Sequence, residues 1–78
     1  MDVSNLIRMA NRIGEFFVSI PDREEALEGI ALHIQKFWDP RMRAQLLAHL
    51  AAGGEGLHPL ARAAAARLAA AQAERSPG

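Results

Sequence analysis

The chain has 78 residues, nine basic and nine acidic side chains for a net charge of zero, and no cysteine. That length holds one small domain, and the missing cysteines exclude disulfides, thiolate-held zinc, iron–sulfur ligation and a cysteine nucleophile. The charge balance argues against a dedicated nucleic-acid binder, and no apolar run approaches the roughly 20 residues of a membrane span.

Met1-Asp2-Val3-Ser4 lacks the basic start and apolar run of a signal peptide, so the chain is expected to be soluble and cytoplasmic. Half of the residues are hydrophobic, but 16 of those 39 are alanine, which leaves 23 larger apolar side chains for a core. A core that small is marginal without a metal or disulfide. Good helix packing or a partner subunit has to supply the rest.

The first helix is expected from about Val3 to Val18. Leu6, Met9, Ile13, Phe16, Phe17 and Ile20 recur at steps of three and four, and Asn5, Arg8, Arg12, Glu15 and Ser19 form a polar stripe on the other side. Asp2 or Ser4 can cap it. Pro21 stops it and biases Ile20 away from helical angles. Asp22 then opens a D-x-x-E start with Glu25, and Glu24 adds a third acid where the helix dipole favours negative charge. The apolar face of this second helix reads Leu27, Ile30, Ile34 and Phe37, with Ala31 and Trp38 beside it. Gly29 costs the helix about 1 kcal/mol relative to alanine, a concession that suits a close approach by another helix.

Asp39-Pro40 starts the third helix, Asp39 as cap and Pro40 at the first position, where its missing N–H is not needed. It is expected to reach about Ala52 and to bury Met42, Leu46, Leu47 and Leu50, before Gly53-Gly54-Glu55-Gly56 forms the most flexible connection. A fourth, alanine-rich helix is expected from Pro59 to about Glu74. Its large apolar groups are Leu57, Leu60 and Leu68, so it reads as the most weakly docked helix. Residues 1–74 form one domain on this reading, and 75–78 a disordered tail. No strand pattern appears. The fold class is all-α, a small compact bundle of about four short helices.

No catalytic constellation is present. His33, His49 and His58 lie 16 and 9 positions apart, which matches no helical ligand pair. His58, before Pro59, reads as a starter of the fourth helix. Glu24, Glu25 and Glu28 read as a solvated helix start. The glycine-containing loop lacks a Lys-Ser/Thr and follows a helix, so it is no phosphate cradle. No catalytic, cofactor-binding or metal-binding residue is therefore assigned.

The candidates for binding a partner are Trp38, Arg41, Arg43, Arg8 and Arg12. Arg41 and Arg43 fall in the first turn of the third helix, against its dipole, at a cost of about 0.3–1 kcal/mol each. Either a local ion pair with Asp39 or a neighbouring acid, or contact with a partner, offsets that cost. Tryptophan and arginine are enriched at interface hot spots, although Trp38 also continues the apolar face of the second helix. Arg8 and Arg12 belong to the polar stripe of the first.

Two longer motifs carry a resemblance. Asn5-Leu6-Ile7-Arg8-Met9-Ala10-Asn11-Arg12-Ile13-Gly14-Glu15-Phe16-Phe17 and Phe37-Trp38-Asp39-Pro40-Arg41-Met42-Arg43 resemble the opening and the most characteristic element of the delta subunit of NAD-dependent molybdenum formate dehydrogenases. Pro21-Asp22-Arg23-Glu24-Glu25-Ala26 and Gly54-Glu55-Gly56-Leu57-His58-Pro59-Leu60 are similar to its middle and its glycine-containing turn. The resemblance covers roughly Asn5 to Leu60.

It implies a non-catalytic accessory subunit that binds and stabilises the enzyme assembly. The alternatives are a transient maturation chaperone for the large subunit and a small helical regulator. It further implies that the molybdenum–pterin centre, the iron–sulfur clusters and the flavin reside in partner subunits. The implied partner is the large molybdenum-bearing subunit, with no nucleic acid and no membrane. The isolated chain is open to self-association through the surface meant for that partner.

Overall fold

In the computed structural model, which describes residues 2–75, each helix starts where a side chain takes up its free first-turn N–H groups. Asp2 accepts from the Ser4 N–H at 3.4 Å and opens α1, Val3–Phe17. Asp22 accepts from the N–H groups of Glu24 (2.9 Å) and Glu25 (3.4 Å) and opens α2, Arg23–Phe37. Asp39 accepts from the Met42 N–H at 2.8 Å and opens α3, Pro40–Ala51, with Pro40 at its first position. His58 opens α4, Pro59–Arg75: its Nδ1 accepts from the Leu60 N–H at 3.1 Å. The chain is all-α, with no strand among the described residues. Arg75, expected to begin a disordered tail, closes α4, and the other expected tail positions, 76–78, lie outside the described residues.

The core draws on all four helices. Leu6 and Ala10 come from α1; Leu27, Ile30 and Ile34 from α2, with Trp38 just past its end; Leu46 from α3. The fourth helix corrects the expectation of weak docking. Leu60, Ala61, Ala64, Ala65 and Leu68 are all buried, and α4 packs against α1, α2 and α3, most extensively against α2. Alanine buries little area per residue but lets helix axes come close. At the α1–α4 crossing a Cβ added to Gly14 would lie 3.4 Å from the backbone nitrogen of Ala61. The result has a radius of gyration of 11.7 Å, close to the about 11.5 Å expected of a compact chain of this length.

The glycine-containing loop is held by three helices. Gly53, Gly54 and Gly56 take positive φ values of 124°, 64° and 87°, which glycine adopts at no steric cost. Gly54 N–H donates to His49 O at 2.9 Å and so caps α3. From α1, Asn11 donates its amide to Gly56 O at 2.9 Å and accepts from the His58 N–H at 2.7 Å. From α3, the His49 ring meets Glu55 O at 2.7 Å. From α4, the Arg62 guanidinium donates to Gly53 O. The segment expected to be the most flexible thus sets the angle at which α4 enters the core.

Candidate functional site

Both aromatic pairs of the sequence sit at the same offset from the first core leucine of their helix. At 100° per residue, Phe17 and Trp38 each follow a core leucine (Leu6 and Leu27) by 11 positions and return to within about 20° of it. Phe16 and Phe37 come one residue earlier and swing about 80° to the side. The structure follows this arithmetic. Trp38 is 5% exposed, whereas Phe37 is 67% and Phe16 77% exposed. That corrects the expected α2 face, in which Phe37 was a core residue and Trp38 its neighbour, and the expected α1 face, which included Phe16.

Between α1 and α2 this arrangement leaves an open apolar groove of about 590 Å³. Trp38 lies at its floor. Met9, Ile13 and Phe17 are half-buried and form its walls. Arg12, Phe16 and His33 stand exposed at the rim. Phe16 meets Phe17 edge to face at 5.4 Å between ring centroids. The His33 ring lies 4.8 Å from that of Phe37, so Phe37 extends the apolar rim along α2, with Lys36 Nζ 5.8 Å from its ring centre.

One wall depends on a glycine. A Cβ on Gly29 would fall 2.5 Å from Cε1 of Phe17, so the Phe17 ring occupies the space a side chain at position 29 would need. The space at Gly29, expected to admit another helix, is taken by this side chain of α1 instead.

The groove unites two of the five residues expected to bind a partner, Arg12 and Trp38. Arg8 lies one turn before Arg12 on the same exposed stripe. Among the described residues the one ion pair is Arg67–Glu24, at 2.6 Å, so Arg8 and Arg12 carry unpaired charge.

Arg43 folds back and donates to two carbonyls at the end of α2, Gln35 O at 3.1 Å and Trp38 O at 2.5 Å. The cation therefore sits at the negative end of the α2 dipole, which offsets its unfavourable place in the first turn of α3. The ion pair with Asp39 considered from sequence does not form; the Asp39 carboxylate caps α3 instead. Arg41 is exposed, with no partner among the described residues. Trp38 and Arg43 are thus committed within the chain, while Arg8, Arg12 and Arg41 face solvent.

Asn11 is the structural residue that sequence reading passed over. It sits between two arginines of the polar stripe, and its one signal was a side chain able both to donate and to accept, positioned on α1 within reach of the loop.

A second, smaller groove of about 380 Å³ separates α2 from α4, between Leu32 on one side and Arg67 and Leu68 on the other. Among the described residues no group of three or more His, Asp or Glu side chains gathers into a metal-sized cluster. No helix of the described residues is long and apolar enough to cross a membrane.

A family model described as NADH-dependant formate dehydrogenase delta subunit FdsD matches residues 5–65. Its span takes in all but the first two residues of α1, all of α2 and α3 and the first turns of α4, and with them both walls of the groove and the loop that Asn11 clamps. No curated protein and no solved structure matches significantly. With the family model covering more than half of its length, the chain belongs to the formate dehydrogenase delta-subunit family.

Proposed function

We propose that this chain is a non-catalytic accessory subunit that binds and stabilises a cytoplasmic, NAD-dependent molybdenum formate dehydrogenase through its large subunit. The observation that carries this reading is the α1–α2 groove. In a chain with so few large apolar side chains, Phe16 stands outside the core at the edge of an apolar trough, and the equally exposed Phe37 packs on the trough's rim residue His33. Contiguous exposed apolar surface of this kind marks an interaction site. The chemistry of the chain supports the division of labour. Without cysteine it offers no thiolate for an iron–sulfur cluster, so electron-carrying clusters fall to other subunits, as do the molybdenum–pterin centre and the flavin.

The test is native capture of the tagged chain from formate-grown cells. The expected result is stoichiometric recovery of a large molybdenum-containing subunit together with formate-dependent NAD reduction. Recovery of only the metal-free large subunit would replace the permanent subunit with a maturation chaperone. Recovery of no enzyme subunit, with salt-sensitive binding to duplex DNA, would move the chain to a regulatory role.

A further inference from the structure

We propose that the α1–α2 groove docks an apolar segment of a partner subunit that carries aspartate or glutamate on its flank. Its bulky side chains pack on Phe16, Phe17 and Phe37, and its carboxylate pairs with Arg12. This rests on the accessory-subunit reading and names the surface and the chemistry through which that reading works.

The apolar half of the argument is geometric. Phe16 on α1 and Phe37 on α2 both lie about 80° off the core direction of their helices, on the same hand. Phe16 lines the trough that Trp38 floors, and Phe37 lies next to its rim, 4.8 Å from the ring of His33. A solvent-facing helix does not need two such rings there, and their exposure costs hydrophobic free energy that a docked side chain recovers.

The polar half is electrostatic. The charged residue lining the groove is Arg12, and among the described residues it has no ion-pair partner. Arg8 lies one turn before it. Lys36 flanks the far rim beside Phe37. Glu15, the acid on the same α1 stripe, lies about 60° further round the helix from Arg12 and forms no ion pair with it. The chain as a whole is neutral, yet the edge of this groove is cationic. Such an edge selects a carboxylate-bearing partner and steers its approach. Two copies of this chain joined groove to groove about a two-fold axis would bring two cationic rims together, which disfavours self-pairing as the occupant.

The experiment uses the captured complex. A photo-crosslinking benzophenone amino acid replaces Phe16, and the crosslinked peptide is identified by mass spectrometry. The expected product joins position 16 to one segment of another enzyme subunit, with large apolar residues and an Asp or Glu within a helical turn of them. In parallel, Phe16→Asp and Arg12→Glu lower recovery of the partner by about tenfold or more, as removal of an interface hot spot does. Arg12→Lys retains most of the recovery, and Leu32→Ser in the α2–α4 groove leaves it unchanged. Positions 12, 16 and 32 are all exposed, and an unchanged unfolding midpoint confirms that each variant is folded.

Full recovery of the partner by both Phe16→Asp and Arg12→Glu would overturn the groove proposal and leave the accessory-subunit reading standing. A crosslink to a second copy of this chain, or to a segment rich in Lys and Arg, would overturn the partner chemistry. Failure of the unmodified chain to recover any enzyme subunit would remove the underlying reading, and the proposal with it.

Discussion

Arg43 sits in the first turn of one helix and at the last turn of another. Read along the chain, its charge opposes the α3 dipole; in space it completes α2 by donating to the carbonyls of Gln35 and Trp38. Arg43→Ala is therefore expected to cost about 1.5–3 kcal/mol, the range for hydrogen bonds from a charged donor. Arg41→Ala, at an exposed neighbour without a partner, stays within about 0.5 kcal/mol. Chemical unfolding with an unchanged slope checks both, and equal losses at the two positions would refute the assignment.

Asn11 makes a parallel case. Its amide and carbonyl hold Gly56 and His58, so Asn11→Ala is expected to cost about 1–3 kcal/mol, because it strands a half-buried N–H and a carbonyl. Asn11→Asp keeps the acceptor for the His58 N–H and recovers part of that loss. The caps at Asp22, Asp39 and His58 were legible from residue type and position alone. The Arg43 and Asn11 contacts were not, because each joins residues that only the folded chain brings together.

At the level of the helix, α4 shows why apolar volume is a poor guide to position in a bundle. Its alanines let three other helices pack against it, and Ala61, Ala64 and Ala65 are at most 1% exposed. Ala64→Leu forces extra methylenes into that seam and is expected to destabilise by about 1–3 kcal/mol or more, whereas Ala66→Leu on the exposed side is near neutral. In hydrogen exchange the α4 amides around Ala61–Leu68 are expected among the slowest of the chain; early exchange there would show α4 to be loosely held after all.

The two helix glycines divide in the same way. Gly14→Ala adds a methyl at ordinary contact distance from Ala61, and the gain in helix propensity of up to about 1 kcal/mol is retained. Gly29→Ala meets the Phe17 ring at 2.5 Å and has to displace a wall of the groove. It is expected to weaken partner capture even where the propensity gain keeps the fold stable. Helix boundaries were legible because Pro, Asp and Gly punctuate the chain. Which member of each aromatic pair faces inward was legible too, but only once Leu6 and Leu27 fix the origin of the 100° count. A steps-of-three-and-four reading admits either ring.

The whole molecule is small enough that its surface and its stability are one problem. Among the described residues fourteen hydrophobic side chains are buried, six of them alanine, while Phe16 and Phe37 lie outside that core. A partner that covers the groove should stabilise the fold by mass action. The unfolding midpoint of this chain is expected to rise with the concentration of the isolated large subunit, with Phe16→Asp abolishing the rise. An equal rise for the variant would place the contact elsewhere. The family was legible in the sequence through its two motifs, and the groove was not. Arg12 and Phe16 belong to α1, His33 and Trp38 to α2 and its end, and it takes the α1–α2 packing to assemble them.

Trp38 gives this surface a reporter of its own. The chain has one tryptophan and no tyrosine, and that tryptophan lies 5% exposed beneath the groove. Its indole fluorescence therefore comes from the floor of the proposed docking site and from nowhere else in the chain. Binding there changes the polarity around one fluorophore and its access to a soluble quencher. A fluorinated tryptophan carries the same information as a single ¹⁹F resonance even when the partner is rich in indoles, so occupancy of this groove can be followed in the intact assembly without adding a label to the surface under test.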